Sequence, residues 1–506
     1  MYIINKIKAW IRNRVVERHT TIASIIRMLL SRNQDKTALV QGERRLTYKE
    51  LAGEVYGTAA WLADQKINPG DRIALILPDS IEYIVMRLAC WLTGIETVLL
   101  MDSVSQAHFD NMAENARPCA AVVPETADID FGNMKMLHYS LVNNNEKIPD
   151  IAMPEEDKTA SINYSSGSTG LPKGIQLTQK SWAASCHAFV RAAGSSAKKE
   201  QDTYLSVIPM AVAGSTSIIP VLLGGMRIVI AGTHEPAGLA ELIEKEHVSL
   251  LFLTPVWLAH LTDHIRGSHT DISSLRKIAV GTDTVHAALM KRALSLFGPV
   301  ITCSYGMAEV LPPLTILDEN DYKKDGVLQE DLLHSVGKPY PHVTIDITDQ
   351  DGNILKPGSQ GNIRILSPSS AQGYVGAPEK ERSRFRNGMF HSEDIGYFDE
   401  AGYLYILGRE GHRIQIPGHD EVCARKVEDI CFEQDSIISV CAVSLKDSIG
   451  IVYQLSKECS KENSEEIEKA CRKNIGIPAV FRRVEAIPLT SAGKLDRAEA
   501  QKLFQK

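Results

Sequence analysis

The chain has 506 residues, which is too long for one ordinary domain and predicts two or three packed units. Hydrophobic residues make up 44%, as in globular proteins, and the net charge of −7 argues against a nucleic-acid-binding protein, which usually presents a basic face. The nine cysteines include no C-x-x-C pair, which favours a reduced, cytosolic protein without a structural metal.

The N-terminal segment, residues 1–19, has isoleucines and a tryptophan at helical spacing, with basic residues between them. It lacks the long apolar region and the small-residue cleavage site of a signal peptide. Two interpretations stay open: an amphipathic helix packed on the body of the protein, or a helix that lies on a membrane surface. No apolar run in the chain approaches the roughly 20 residues that span a bilayer.

Strand-like apolar runs alternate with helical patterns up to about residue 410. Residues 71–79 are an apolar run ended by a proline, residues 80–94 follow with a helical pattern that stops at Gly94, and residues 96–100 predict the next strand. The same alternation returns at 225–232, 237–248, 249–255, 256–265 and 277–283. Such βαβ alternation predicts an α/β fold with parallel sheets covered by helices.

The pattern changes from about residue 337, where period-two alternation predicts antiparallel strands. Residues 343–355 alternate around an Asp-Gly hairpin signal, and residues 361–366 and 401–408 look similar. We therefore expect a small β-barrel-like subdomain to complete a large N-terminal domain of residues 1–408. The remaining residues, 409–506, are predicted to form a small α+β C-terminal domain.

The segment YSSGSTGLPKG, residues 164–174, combines small hydroxyl residues and glycines with one lysine. It follows a short apolar run and precedes a helical pattern at 181–190, so it is predicted to connect a strand to a helix. Such a loop offers unobstructed backbone N–H groups to a phosphate, and Lys173 adds a positive charge. It is not a P-loop, because Pro172 stands where that motif needs a glycine. Composition alone also allows a flexible surface loop.

The order of these residues closely resembles the signature loop of the adenylate-forming superfamily, which includes acyl-CoA synthetases, adenylation domains of nonribosomal peptide synthetases and firefly luciferase. Three other segments resemble motifs of this superfamily in the same order: SYGMAEV (304–310), HSEDIGYFDEAGYLYILGRE (391–410) and TSAGKLDR (490–497). The resemblance extends over nearly the whole chain, from LTYKEL (46–51) onward.

The resemblance implies that the protein joins a carboxylic acid to ATP, with release of pyrophosphate, and then passes the acyl group to a thiol. Charge builds on the phosphates during the first step, so the protein must supply positive charge and N–H donors there. Since no carrier module follows Lys506, we expect the thiol to belong to CoA or to the phosphopantetheine arm of a separate carrier protein.

The resemblance also assigns the nucleotide-binding residues. Those that would wrap the β- and γ-phosphates are Ser165, Ser166, Gly167, Ser168, Thr169 and Gly170, with Lys173 near them. Tyr305, followed by Gly306, would stack on the adenine, Asp394 would accept both ribose hydroxyls, and Arg409 would approach the ribose or the phosphates. Without the motifs, Asp394 would be interpreted as an ordinary turn residue and Arg409 as a partner in a weak surface ion pair.

By the same resemblance Lys494 would be the catalytic lysine, bridging the carboxylate and the α-phosphate, and Glu309 would help to hold Mg²⁺. Taken alone, each would be interpreted as an exposed surface residue. In the superfamily the C-terminal domain swings about a hinge after the Gly-Arg pair, here between Gly408 and Gly411. One pose brings in the lysine, and the other brings in the loop around Gly418 beside the pantetheine tunnel.

Several positions depart from the superfamily's pattern. Ala308 replaces a threonine, Glu393 a glycine, Asn362 a glutamate, Gly411 an aspartate or lysine at the hinge, and Gln179 a histidine. The loss of one transition-state donor lowers a rate by about 10²-fold. The departures motivate an alternative hypothesis, a catalytically weak nucleotide-binding scaffold protein of a biosynthetic assembly. A luciferase-like oxidative enzyme is a third alternative, which nothing in the sequence favours.

The acyl pocket is expected around the segment PMAVAGSTSI, which starts at residue 209. The expected lining residues are Met210, Ala211, Val212, Ala213, Gly214 and Gly281. The segment has no aspartate to hold an ammonium group, so an α-amino acid is not the expected substrate. Small apolar side chains leave room for an aryl or medium-length acyl group. The alternative is that these residues only pack the core.

Overall fold

The computed structural model of the chain describes residues 19–31, 35–126, 128–140, 151–165, 172–193, 202–324, 327–377, 379–409, 413–457 and 461–505. Three predictions fall outside the described residues: the amphipathic N-terminal helix, the phosphate-wrapping positions 166–170, and the hinge residue Gly411. Within the described part, no helix combines the length and the apolarity that crossing a bilayer needs.

The first parallel sheet contains seven strands, among them those predicted from the second group of alternating segments. In spatial order they are Ile301–Cys303, Lys277–Val280, Leu250–Leu253, Thr203–Ser206, Arg227–Ile230, Thr37–Gln41 and Arg44–Thr47. The last strand pairs antiparallel with its neighbour, and the others run parallel. The parallel strands are short apolar runs, as expected where helices cover a sheet.

The second parallel sheet also contains seven strands. In spatial order they are Gly373–Val375, Lys173–Thr178, Thr159–Ser165, Glu96–Leu99, Arg72–Leu75, Ala120–Val123 and Lys135–His138. The five from Thr159–Ser165 onward run parallel, whereas Lys173–Thr178 is antiparallel to both of its neighbours.

The strand Lys173–Thr178 corrects one prediction. The signature loop connects two antiparallel strands, not a strand to a helix, and the helix Gln179–Ala193 begins only after the second strand. The physical reason is that Ile175 and Leu177 are buried while Gln176 between them is not, and both sides of the strand are paired. A strand of six residues that directly follows a stretch rich in glycine and proline looks like part of a loop in the sequence alone.

Helices cover the sheets on both faces. The α-helices are Ile22–Leu30, Tyr48–Asp64, Ile81–Thr93, Gln106–Ala116, Gln179–Ala193, Ser215–Leu223, Pro236–Lys245, Pro255–Arg266, Ala287–Phe297, Glu379–Arg382, Ala424–Phe432, Lys461–Ile475 and Arg497–Lys502, and Glu330–His334 is a 3₁₀-helix. The helix Ile81–Thr93 confirms its prediction: the Ser80 side chain caps its N-terminus, and Gly94 ends it with φ of 80°.

A helical layer between the two parallel sheets holds the largest core. The helices Ile22–Leu30, Tyr48–Asp64, Ile81–Thr93, Gln179–Ala193 and Ser215–Leu223 contribute to one continuous apolar cluster with strands of both sheets. The helix Ile81–Thr93 is buried almost all round, which is typical of a helix enclosed by a larger protein.

The predicted β-rich region is an antiparallel sheet. In spatial order its strands are Thr315–Ile316, Ser335–Pro339, Leu404–Arg409, Met389–Phe398, Gly361–Leu366 and Thr344–Thr348, with Phe385–Arg386 beside Met389–Phe398. The turn predicted at Asp351-Gly352 is present, but the main partner of Thr344–Thr348 is the later strand Gly361–Leu366. Two short hairpins pair Lys323–Lys324 with Val327–Leu328, and Arg413–Ile414 with Val422–Cys423.

The C-terminal region, residues 413–505, contains a three-stranded sheet of Ile437–Ser444, Ile449–Leu455 and Ala479–Val484. Its helix Ala424–Phe432 shares an apolar cluster with the helices Pro255–Arg266 and Ala287–Phe297 of the body. This contact brings the C-terminal region to the edge of the first parallel sheet.

Candidate active site

A cavity of about 290 Å³ lies over three strands of the first parallel sheet, Leu250–Leu253, Lys277–Val280 and Ile301–Cys303. The helices Gln179–Ala193 and Ser215–Leu223 contribute residues to its other walls. Most of the lining is apolar, with a few polar groups, which is the usual composition of a small-molecule site.

The structure brings four of the six predicted acyl-pocket residues into this cavity. They are Ala211, Val212, Ala213 and Gly281. Met210 is fully buried outside the lining, where its N–H donates to Asp79 at 2.8 Å and its carbonyl accepts from the Tyr83 hydroxyl at 3.1 Å. Gly214 is also outside the lining, and a Cβ there would lie 2.0 Å from the Ile208 carbonyl oxygen. Met210 and Gly214 thus stabilise the backbone on either side of residues 211–213, which line the cavity.

Lys494 lines the same cavity from the C-terminal region. A tight loop positions it: the Thr490 N–H donates to the Lys494 carbonyl at 2.8 Å, and the Gly493 N–H donates to the Thr490 carbonyl at 2.9 Å. Gly493 has φ of 71°, and a Cβ on it would lie 2.6 Å from the Trp257 ring, so only glycine fits this contact with the body. The loop around Gly418, by contrast, is exposed and does not line the cavity.

Tyr305, Asp394 and Arg409 form one hydrogen-bonded cluster. The Tyr305 hydroxyl donates to one Asp394 oxygen at 2.6 Å, and Arg409 Nε donates to the other at 3.1 Å. Asp394 and Arg409 face each other on paired strands of the antiparallel sheet. Burial, followed by the Asp394 charge, raises the pKa of Tyr305 well above its usual value, so its hydroxyl stays a donor.

The polypeptide at Gly306 packs closely against Pro312. A Cβ at Gly306 would lie 2.5 Å from the Pro312 side chain, which explains why this position of the motif is a glycine. Ala308 and Gly306 both line the cavity, so the site has a methyl group where the superfamily usually has a threonine hydroxyl.

Glu309 is held by a residue that the sequence analysis did not identify. The Tyr374 hydroxyl donates to Glu309 Oε1 at 2.9 Å, and the Ala371 N–H donates to the Glu309 carbonyl at 2.8 Å. Tyr374 lies on the edge strand Gly373–Val375 of the second sheet, 65 residues along the chain from Glu309. No local pattern links two residues at this separation.

Charges from four segments converge on Lys494. Burial is the main cause that lowers the pKa of the Lys494 ammonium, the Asp283 carboxylate opposes this, and Arg409 adds to it. Asp394 and Glu309 also attract the ammonium. Charged residues predicted separately from three motifs therefore act on the lysine that lines the apolar cavity.

The signature loop begins and ends at this part of the second sheet. Ser165 and Lys173 are register partners in adjacent antiparallel strands, so the loop leaves and returns at neighbouring positions. The Asn111 side chain donates to the Pro172 carbonyl at 3.0 Å and fixes the returning end. Asn163 and Tyr164, at the outgoing end, line the cavity.

Two of the departures from the superfamily's pattern have local explanations. Gln179 is buried, where its side-chain oxygen accepts from the Ala23 N–H at 3.0 Å and its amide donates to the Trp91 carbonyl at 3.3 Å. Glu393 lies 3.6 Å from the Arg384 guanidinium and is half-exposed. Gln179 therefore ties a helix end to the core, and Glu393 forms a partly exposed ion pair.

Asp283 is a further charged residue that the sequence analysis did not select. It is the last residue of the strand segment predicted at 277–283 and lies just after the observed strand Lys277–Val280, within the polar run Thr-Asp-Thr. Side chains just beyond the carboxyl ends of parallel strands commonly form ligand sites. The position of Asp283 at the end of a parallel strand could therefore have indicated a site residue from the sequence. No local sequence pattern indicated Tyr374 or Asn111.

The described residues fit a bound nucleotide with Mg²⁺. A buried carboxylate with two strong donors lies at Asp394, a second carboxylate lies at Glu309, and two cations, Lys494 and Arg409, face them. No group of three or more His, Cys, Asp or Glu side chains that could hold a metal ion occurs in the described ranges. Mg²⁺ is commonly bound through one or two protein carboxylates together with substrate phosphates, and Glu309 would be such a carboxylate.

Comparisons with known proteins support the same family. The feruloyl-CoA synthase of Amycolatopsis sp is 26% identical over 481 residues, covering 92% of this chain and 96% of that protein. The 2-succinylbenzoate–CoA ligase of Bacillus licheniformis is 25% identical over 476 residues, with 92% and 96% covered.

A solved structure has the same fold. It is the O-succinylbenzoate Coenzyme A synthetase from Bacillus subtilis in complex with ATP and magnesium ion, with a TM-score of 0.77 at 22% identity, covering 94% of this chain and 99% of that one. The profile of the AMP-binding enzyme family matches residues 28–375. This chain therefore belongs to the AMP-binding enzymes, the adenylate-forming superfamily whose motifs its sequence carries.

Proposed function

We propose that this protein is an acid–thiol ligase that forms an acyl-adenylate from a carboxylic acid and ATP and then transfers the acyl group to a thiol. The observation that carries the proposal is that Lys494 lines an apolar cavity and that the charges of Asp394, Arg409 and Glu309 act on it. Membership of the family supports ATP as the nucleotide.

In the proposed first step the acid lies in the cavity with its carboxylate toward Lys494. The Lys494 ammonium holds the carboxylate against the α-phosphate and offsets the charge that develops there. Asp394 binds the ribose, Tyr305 stacks on the adenine, and residues 165–170 with Lys173 hold the β- and γ-phosphates. Mg²⁺, held by Glu309 and the phosphates, would neutralise charge on the departing pyrophosphate.

We propose that the acid is an aryl or medium-chain acid. The walls are mostly apolar, and Ala211, Ala213 and Gly281 leave space where larger side chains would fill it. Both relatives named above act, by their names, on acids with an aromatic ring, which favours the aryl class. Among the described lining residues no aspartate or glutamate is present to pair with an α-ammonium group.

For the second step we propose CoA or the phosphopantetheine arm of a separate carrier protein as the acceptor, and the reduced cytosol as the location. We further propose that residues 409–506 move as a unit, so that the loop around Gly418 replaces Lys494 beside the acceptor thiol. In support, the present arrangement has Lys494 at the cavity and Gly418 exposed.

The test is ATP–pyrophosphate exchange with a panel of acids: benzoate, salicylate, cinnamate, anthranilate, hexanoate, octanoate, palmitate and phenylalanine. We expect exchange with one aryl or medium-chain acid and a loss of about 10²- to 10³-fold in Lys494→Ala, because a transition-state donor is removed. Lys469→Ala, an exposed lysine of the C-terminal region, is the matched control and should retain exchange.

Two outcomes would redirect the proposal. ATP binding without exchange for any acid would favour the catalytically weak scaffold, for which Ala308 in the cavity wall is the specific observation. In that case Ala308→Thr is the first variant to test for recovered exchange. Exchange that is equal in Lys494→Ala and in the unmodified protein would contradict the role given to Lys494.

A further inference from the structure

We propose that Asp283 is a positioning residue for Lys494: its carboxylate holds the lysine at the cavity during adenylate formation and has no part in thiol transfer. The inference rests on the proposed function and assigns a role to a residue that no motif covers. The geometry comes from three elements: a strained turn, a crevice shared by the two side chains, and an arginine of the C-terminal region.

The turn that carries Asp283 is strained. Thr282 has φ of 73°, a conformation that a β-branched residue rarely adopts, and its buried hydroxyl has no hydrogen-bond partner. The turn lies between Gly281, which lines the cavity, and Asp283, which lines a neighbouring crevice. A strained backbone that persists must be held by its surroundings, and here it directs Asp283 away from the cavity wall and into the crevice.

Asp283 and Lys494 share this crevice of about 60 Å³ at the junction of the body and the C-terminal region. Lys494 is a wall residue of both the crevice and the larger cavity, so it lies between the two. Among the attractive charges that act on Lys494, that of Asp283 is the largest. Asp283 is exposed on one side and forms no direct ion pair with Lys494, so its charge acts on the lysine across the crevice.

The other two carboxylates near Lys494 already have strong protein partners. Asp394 accepts from Tyr305 and Arg409, and Glu309 accepts from Tyr374. One Asp283 oxygen accepts from the N–H of the adjacent Thr284 at 2.8 Å, which fixes the carboxylate on its turn. The carboxylate is thus oriented by the backbone while its charge faces Lys494.

Arg425 fastens the turn to the C-terminal region. Its guanidinium donates to the Val285 carbonyl at 2.6 Å and to the Thr284 hydroxyl. Arg425 and Lys494 belong to the same C-terminal region. The region that carries the lysine therefore also hydrogen-bonds to the turn that carries Asp283. The crevice that Asp283 and Lys494 share therefore depends on the present position of the C-terminal region.

The test separates the two half-reactions. Adenylate formation is measured as pyrophosphate exchange with the most active acid of the panel above, and transfer is measured from the synthetic adenylate of that acid to CoA. Asp283→Asn keeps an oxygen for the Thr284 N–H but removes the charge. We expect adenylate formation to fall by about 10- to 100-fold, as for a misplaced catalytic group, with transfer unchanged within about twofold.

Two further variants make the test decisive. Asp283→Glu retains the charge and should recover part of the exchange, and Asp447→Asn, an exposed aspartate of the C-terminal region, should behave like the unmodified protein. Exchange in Asp283→Asn within about twofold of the unmodified protein would overturn the inference, as would equal losses in both half-reactions. If the unmodified protein itself shows no exchange, the proposed function fails first, and the Asp283 inference fails with it.

Discussion

The helical layer between the two parallel sheets depends mainly on apolar contacts, whereas the junction between the body and the C-terminal region adds charged hydrogen bonds to an apolar cluster. In the layer, Trp91 and Trp182 pack with ring centroids 4.7 Å apart, and both are buried. At the junction, His286 pairs with Asp429 at 2.6 Å, and Arg292 donates to the carbonyls of residues 435 and 437.

The difference has a physical consequence. Apolar contacts in the layer gain free energy only while water is excluded, so the two sheets separate only when the protein unfolds. Charged side chains on backbone carbonyls can exchange those carbonyls for water at modest net cost. The polar part of the junction is therefore suited to contacts that form and break, although the proposed movement of residues 409–506 would also have to expose the apolar cluster there; the layer is suited to a rigid frame.

Among the changes that would test the difference between the layer and the junction, we expect the largest loss of stability from a substitution in the layer. Trp91 is fully buried, its Nε1 donates to the Thr97 hydroxyl at 2.8 Å, and the Arg87 guanidinium lies 4.5 Å from its ring centroid. Trp91→Ala should lower the free energy of unfolding by about 3–5 kcal/mol, through lost burial and a cavity.

The measurement is chemical unfolding followed by circular dichroism. The matched control is Trp61→Ala: Trp61 is only partly buried, with its ring 5.3 Å from that of Tyr139. A smaller loss is expected there, and equal losses in both variants would argue against a layer that depends on exclusion of water.

A second effect concerns the ion pair that anchors the segment after Lys494. Arg497 donates to Glu428 at 2.5 and 3.2 Å, and the Glu428 side chain is 3% exposed. Glu428→Gln should lower the free energy of unfolding by about 3 kcal/mol at neutral pH, because it leaves the arginine without its partner.

This effect should depend on pH in a defined direction. Burial raises the pKa of Glu428, but Arg497, His286 and the Ala442 N–H together outweigh it, so the folded pKa lies below the ordinary value of 4.5. The stabilisation is complete above 4.5 and is lost as the pH falls through the lowered folded pKa. The free energies of unfolding of the unmodified protein and of Glu428→Gln should therefore become equal as the pH is lowered. A constant difference down to the lowest pH would contradict the stabilising role given to the Glu428 carboxylate.

The smallest effect is expected at the junction itself. Arg425→Ala removes the hydrogen bonds to residues 284 and 285 and should cost about 1–3 kcal/mol of junction stability. Hydrogen exchange should accelerate in residues 413–505 and at 283–286 but not in the helix Ile81–Thr93. Arg382→Ala, an exposed arginine of the body, serves as the control, and a uniform acceleration across the chain would show that the two regions are not independent.

Several features were predictable from the sequence because their causes are local. The helix Ile81–Thr93 begins at a serine cap and ends at a glycine with positive φ, and both signals lie within one turn of the helix ends. About half of the parallel strands, those at 72–75, 96–99, 227–230, 250–253 and 277–280, were visible as apolar runs. The motif residues identified the family because their order along the chain is itself the signal.

Other features were decided only by the tertiary structure. The strand Lys173–Thr178 is defined by pairing with Thr159–Ser165 and with Gly373–Val375, about 200 residues away in the chain. Gln179 is a buried anchor because Ala23 and Trp91 meet there, and no property of its neighbours indicates this.

The chemistry of the site divides in the same way. The sequence determined which residue types are present: a lysine in the last motif, carboxylates at 309 and 394, and small residues at 211–214. The tertiary structure decided that Met210 and Gly214 lie outside the cavity lining, and that Tyr374 and Asp283 face Glu309 and Lys494. Residue identity and local propensity are written along the chain, whereas the approach of distant side chains depends on how sheets and helices pack.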